Sequence, residues 1–243
     1  MIGSHPVALT EHCATVCGEY VPAAFRSVTR GAKHLRTVAR SNGNCTPMLS
    51  WIGNLETTAR DVLFIDRDGV LNLDRPDYVK NWKEFQFYPD ALSALRWLNQ
   101  RQVAVIVISN QSALHRGYTD WDSFWHLHHA MVREVRRAGG NILATYYCPH
   151  RPDENCYCRK PSPAMLLSAA RTFGVVPAST AMVGDRYTDL RTARKAGCRA
   201  ILLNRLGAHP DAPGPLDTEP SAPDDQFTSL LEAVQVLYSK ASS

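Results

Sequence analysis

The sequence predicts an α/β fold built on a doubly wound parallel sheet. Three observations predict it. Short apolar runs rich in β-branched residues alternate with segments of helical period between residues 61 and 206. Several of the runs are apolar throughout, as strands buried on both faces are. The runs end in acidic or hydroxyl residues, where an open parallel sheet presents its ligand-binding edge.

The elements follow in order. Residues 62–65 form the first run, and Pro89-Asp90 opens a helical stretch with Leu92, Leu95 and Leu98 on one face. Residues 103–108 are the second strand. Thr119 is placed to cap a long helix whose stripe is Phe124, Leu127, Met131 and Val135. Residues 142–147 form the third strand. Ser162-Pro163 reads as an N-cap followed by proline at the first helical position, with Gly174 as terminator. Residues 180–183 and 199–203 are the fourth and fifth strands, with a helix over 187–196 between them. The Pro/Asp-rich stretch 207–225 is a loose connection. Residues 227–238 carry Leu230, Leu231, Val234 and Leu237 at helical spacing and are expected to pack back on the domain. The chain therefore divides into an extension (1–60), a motif-bearing domain (61–206) and a connection with a last helix (207–243).

Composition narrows the classes. Of 243 residues, 44% are apolar, and no apolar run approaches the roughly 20 residues of a membrane span. The net charge of +4 conceals a basic middle, with twenty Lys/Arg against fourteen Asp/Glu in 61–206, and an acidic tail, with one against six. Such a middle suits anionic ligands or a solvated surface equally. Seven cysteines are an odd count, which argues against a fully paired disulfide framework and for a reduced, cytoplasmic setting. In the extension, Val21, Phe25, Val28, Ala32, Leu35 and Ala39 form one helical stripe beside Arg26, Arg30, Lys33, Arg36 and Arg40. A basic amphipathic helix, a transit-like leader and a poorly ordered extension all remain open, as does Met48 as the true start.

The chemistry gathers at the strand ends. The first strand runs into Asp66-Arg-Asp68-Gly69, two carboxylates at the mouth of a sheet, although Asp-Gly is also a common turn pair. The second ends in Ser109-Asn110-Gln111-Ser112, and the fourth in Gly184-Asp185-Arg186 with Asp189 close behind. Arg159-Lys160 supplies cations ahead of a helix start. Together these are a site rather than a coincidence of turns.

The set resembles the haloacid dehalogenase superfamily of phosphotransferases, whose four motifs match Asp66-x-Asp68-Gly69, Ser109, Lys160 and Gly184-Asp185-x-x-x-Asp189 in order. The resemblance implies an aspartyl-phosphate mechanism on a Rossmann-like sheet, with Asp66 as nucleophile and Asp68 as acid/base. It implies Mg²⁺ held by Asp66, the Asp68 carbonyl and Asp185, with Asp189 orienting that shell or Lys160. Ser109 and Lys160 would hold the transferring oxygens. Only about forty residues separate Asp66 from Ser109, too few for a large cap domain.

Cys148, His150, Cys156 and Cys158 form a Cys₃His set within residues 148–158, which matches a closed structural zinc site. Cys156 and Cys158 are too close for an easy bridge, and no Cys-x-x-Cys redox motif is present. Zinc with four protein ligands would pin the loop that carries Arg159 and Lys160. This loop inside this fold resembles the branch of D-glycero-D-manno-heptose 1,7-bisphosphate phosphatases and histidinol-phosphate phosphatases. Asn110-Gln111-Ser112 with Arg116-Gly117, and Asn72-x-Asp74 with Tyr78, lean toward the heptose enzymes. By that match Asp74, Tyr78, Ser109, Asn110, Gln111, Ser112, Arg116, Arg159, Lys160 and Arg186 contact substrate. Arg159 is the candidate for a second anionic end. The implied reaction removes the 7-phosphate of a heptose bisphosphate, supplying heptose for bacterial surface lipopolysaccharide.

Histidinol-phosphate hydrolysis is the alternative within the same chemistry. A polynucleotide 3′-phosphatase lacks a basic and aromatic groove, and a catalytically silent zinc-stapled module would have no use for the full motif set. A monomer acting on a small sugar phosphate, with neither nucleic acid nor membrane span, is expected. His126, His128 and His129 read as a solvated helix face, Trp121 and Trp125 as packing, and Cys198 as a buried small residue. Cys13, Cys17 and Cys45 read as free thiols.

Overall fold

The computed structural model describes residues 48–53, 61–205 and 222–239. A seven-stranded sheet runs in the order β1-β4-β3-β2-β5-β6-β7. Its strands are β1 (Leu49–Ile52), β2 (Asp61–Ile65), β3 (Val103–Asn110), β4 (Ala144–Cys148), β5 (Ala181–Gly184), β6 (Arg199–Leu203) and β7 (Asp225–Phe227). The helices are α1 (Ala91–Gln100), α2 (Trp121–Arg137), α3 (Ala164–Phe173), α4 (Tyr187–Ala196) and α5 (Leu230–Tyr238). All pairings are parallel except that of β1 with β4.

The strands alternate their side chains between two cores. Leu63, Ile65, Val105 and Val107 pack with Leu95, Leu98, Met131, Val135 and Val234 from α1, α2 and α5. Phe64, Ile106 and Ile108 pack with Met165, Leu166, Leu190 and Ala193 from α3 and α4. Helices therefore cover both faces, which explains the unbroken apolar runs. β2 lies between β3 and β5, where the direction of winding reverses and the carboxyl ends of neighbouring strands part. Asp66, Ser109 and Asp185 stand at those ends.

The structure corrects several sequence expectations. The stretch expected to precede the domain contributes an edge strand, because Leu49 to Ile52 pair with Tyr147 to Ala144. The remaining expectations for the extension, including the helical stripe and Cys13, Cys17 and Cys45, lie outside the described residues. Asp120, not Thr119, caps α2: its Oδ1 accepts from the Ser123 N–H at 2.7 Å, while the Thr119 hydroxyl donates to the Lys80 carbonyl. The first residue of α3 is Ala164, one later than expected, with Gly174 ending the helix in the left-handed region. Phe227 belongs to β7, and Ser229 caps α5.

His128 is the largest departure from a solvated face. It is fully buried, its Nδ1 lies 3.0 Å from the Tyr147 hydroxyl, and the edges of Trp51 and Trp125 pack around it. The cover comes from β1, which places Trp51 over that side of α2. Trp125 and Cys198 are buried as expected.

Candidate active site

The loop after β2 builds the first wall. The Asp66 N–H donates to the Val183 carbonyl at 2.9 Å, tying this turn to β5, and Asp66 Oδ1 accepts from the Arg67 N–H at 2.7 Å. Gly69 then turns the chain with φ +79°, and a Cβ there would fall 2.0 Å from Asp185 Oδ2. Gly184 makes the matching approach, since its Cβ would fall 2.2 Å from that of Asp189. Both motif glycines therefore let carboxylates pass close to backbone.

Lys160 stands at the centre. Its Nζ lies 2.8 Å from Asp66 Oδ2 and 2.6 Å from Asp189 Oδ1, and donates to the Ile108 carbonyl at 3.0 Å. Its main chain is fixed by Asn110, which accepts from the Lys160 N–H at 3.0 Å and donates to the Lys160 carbonyl at 3.3 Å. Burial pushes the Asp66 carboxyl up to about 6, with Lys160 opposing and Asp189 and Asp68 adding to the rise. Burial pushes Asp185 up to about 8, reinforced by Asp189 and Asp66. Against the cost of its own burial, Asp189 and Asp66 hold Lys160 protonated.

Two buried carboxylates thus share one ammonium, with Asp185 close by: donor oxygens of Asp66, Asp185 and Asp189 lie within 4.8 Å of one another. Asp185 Oδ1 is buried without a hydrogen-bond partner. An orphaned carboxyl oxygen beside two further carboxyl groups fits a hard divalent cation, which would favour their ionised forms.

Asp68 faces the cavity and receives a full set of donors. Arg67 reaches Oδ1 through Nε at 3.2 Å and NH2 at 2.9 Å, and Oδ2 through NH2 at 3.0 Å. Asn72 donates to Oδ1 at 2.9 Å and Gln111 to Oδ2 at 2.7 Å. Burial alone would raise its pKa, but Arg67 and these hydrogen bonds outweigh burial and hold the carboxyl below its ordinary range. Gln111 also donates to Ser109 Oγ at 3.0 Å.

A cavity of about 460 Å³ opens above these groups. It is lined by Asp66, Asp68, Asp74, Tyr78, Ser109, Asn110, Ser112, Arg159, Lys160 and Arg186 among the expected residues, and also by Arg75, Pro76, Pro152 and Thr188. Asp74 and Arg186 close one side at 2.6 Å. Tyr78 sits in the left-handed region at φ +65°, and its ring packs 5.5 Å from that of Tyr118. Gln111 and Arg116 do not line the cavity. Gln111 is buried behind Asp68, and exposed Arg116 lies over the Tyr78 ring at 5.9 Å. Arg159 donates to the His150 carbonyl at 3.0 Å, so its fork is braced by the cysteine loop.

That loop gathers its four donors tightly. Cys148 Sγ lies 3.2 Å from His150 Nδ1 and 3.5 Å from Cys156 Sγ. Cys158 Sγ lies 3.3 Å from His150 Nδ1 and 3.8 Å from Cys156 Sγ. Hydrogen bonding with Cys148 and then Cys158 pulls the Cys156 thiol far down, and hydrogen bonding with Cys148 and then Cys156 pushes the Cys158 thiol far up. The four donor atoms lie within 4.8 Å of one another, a set that a soft cation would fit. His115 supports the loop from the Ser112 side, 2.8 Å from Glu154.

Sequence reasoning missed Arg67. Its one signal was its place between the two motif carboxylates, just past the end of β2.

Comparison with known proteins follows the same geometry. A HAD-hydrolase-like family model matches residues 157–233. A D-glycero-beta-D-manno-heptose-1,7-bisphosphate 7-phosphatase of Pseudomonas aeruginosa is 39% identical over 145 residues, 60% of this chain and 82% of that protein. The Bordetella bronchiseptica enzyme of the same name is also 39% identical, over 142 residues, 58% of this chain and 79% of its own. A crystal structure of D,D-heptose 1,7-bisphosphate phosphatase from B. bronchiseptica, complexed with magnesium and phosphate, superposes with a TM-score of 0.65. It is 31% identical and covers 74% of this chain and 99% of its own.

Proposed function

Because the chain belongs to the heptose-bisphosphate phosphatase family of haloacid dehalogenase-like hydrolases, we propose that it hydrolyses the 7-phosphate of D-glycero-D-manno-heptose 1,7-bisphosphate. The observation that carries this reading is the meeting of Asp66, Asp68, Ser109 and Lys160 around one cavity at the strand ends, with Asp185 beside Asp66.

Asp66 attacks phosphorus, forming an aspartyl phosphate as the bond to the sugar oxygen breaks. Asp68 gives that oxygen its proton and later takes one from the water that frees Asp66. Ser109 and Lys160 hold the transferring oxygens, where charge develops. Asp66, Asp185 and the Asp68 carbonyl would hold Mg²⁺, which neutralises the repulsion between carboxylates and phosphate. Asp189 holds Lys160. Cys148, His150, Cys156 and Cys158 would hold a structural Zn²⁺ that braces Arg159, whose fork suits the second phosphate. Tyr78, Asp74 and Arg186 frame the sugar. The free thiols suit a cytoplasmic enzyme.

The test is phosphate release from both anomers of the heptose bisphosphate and from histidinol phosphate, with Mg²⁺ and with chelator. Mg²⁺-dependent turnover of the heptose bisphosphate is expected to exceed that of histidinol phosphate by at least about 10²-fold in kcat/KM. The reverse order would move the assignment to histidinol phosphate, and no turnover of either would leave a zinc-stapled module.

A further inference from the structure

Arg67 is the largest fully buried side chain in the described structure, at 1% exposure, yet it adjoins the candidate nucleophile. Its side chain runs into the core, where its guanidinium lies 6.0 Å from the Phe85 ring. From there it turns back to grip Asp68 at two points, Nε and NH2, with NH2 within 3.0 Å of both carboxylate oxygens. With the guanidinium fully buried, such a pair is a poor source of stability, because desolvation offsets the attraction. What a two-point fork delivers is a fixed plane for the carboxylate.

We propose that Arg67 is a positioning residue that holds the Asp68 carboxylate in the orientation from which it serves the leaving oxygen. The inference rests on the reading of Asp68 as the group that exchanges protons with the sugar oxygen and water. Asp68 is a short side chain at the wall of an open cavity, 22% exposed, and would otherwise sample several rotamers. Asn72 and Gln111 complete the grip from the other sides. Arg67 does not line the cavity and acts only through Asp68.

The test separates proton delivery from general damage. kcat/KM, which covers the steps up to departure of the leaving group, is measured with the alkyl ester heptose bisphosphate and with a nitrophenyl phosphate. The nitrophenolate leaves without a proton. In Arg67→Lys, kcat/KM is expected to fall by about 10²-fold or more on the alkyl ester and by less than about tenfold on the aryl ester. Equal losses on both esters would overturn the proposal.

Should Arg67→Lys fail to fold, the paired change Arg67→Met with Asp68→Asn removes both charges together and is compared with Asp68→Asn alone. Values within about threefold of each other support action through Asp68, and a further loss beyond about tenfold overturns it. The Asp68→Asn variant also separates the two readings. If it lacks the ester-selective loss, the role given to Asp68 falls and the inference with it. If it shows that loss while Arg67→Lys does not, only the positioning role falls.

Discussion

At the scale of single residues, small side chains decide whether the charged ones can meet. Gly69 is needed twice over, for its φ of +79° and for the passage of the Asp185 carboxylate. Gly69→Ala is expected to displace Asp185 and lower kcat by about 10²-fold or more, measured beside the melting curve to show that the fold persists. His128 makes a different prediction. Burial, with His129 and Arg67 nearby, holds its imidazole well below the ordinary value, so it stays neutral in the native chain. Below about pH 6.5 the unfolded chain takes up a proton that the native chain refuses, so stability falls as pH falls. The loss approaches about 1.4 kcal/mol per pH unit for one such group. Denaturant titrations from pH 7.5 to 5 are expected to show His128→Leu with a shallower decline than the parent. The motif carboxylates, Ser109 and Lys160 were legible in the sequence because the chemistry restricts residue type at each place. The partners of Asp68 were not, because a local pattern cannot say that an inward-facing arginine will turn back on its neighbour.

At the scale of elements, the sequence located helices well and misassigned some of their caps. Pro89-Asp90 does open α1, yet the Asp90 carboxylate makes no bond to that helix. Its Oδ2 accepts instead from Ser229 Oγ at 2.9 Å and from the Leu230 and Leu231 N–H groups of α5 at 2.6 and 3.2 Å, while Oδ1 accepts from Arg205 at 2.9 Å. Arg205 continues to the Val70 carbonyl at 3.1 Å, so the last helix is latched to the turn that follows Asp66 and Asp68. Asp90→Ala is expected to cost about 2 kcal/mol in denaturant unfolding, from a lost cap and lost charged hydrogen bonds. Burial would raise the Asp90 pKa, but Arg205 and Ser229 outweigh burial and lower it. Its contribution is therefore present above about pH 4 and disappears as pH falls through the lower native value, so parent and variant should converge in acid. The edge strands β1 and β7 escaped the sequence reading for a related reason. At four and three residues they are too short to show a period, and each is defined by the strand it pairs with.

At the scale of the whole molecule, the cysteine loop and the sheet edge act as one frame for the cavity. Asn110 ties the Lys160 backbone to β3, and Arg159 and His115 brace the loop between them. Removing the proposed zinc with a chelator, then restoring Mg²⁺ alone, is expected to lower Tm by at least about 5 °C and to leave activity depressed, with about one zinc released per chain. Recovery of full activity on Mg²⁺ alone would separate the loop from catalysis. The sequence by itself determined the α/β class, the order of its core elements and the residue types at each strand end. Those follow from local periodicity and from chemistry that few side chains can perform. Only the tertiary structure decided that Asp90 caps a distant helix, that Trp51 buries His128, and that Arg67 grips Asp68. Each is a contact between segments or faces whose meeting depends on how layers pack, and no local pattern records that packing.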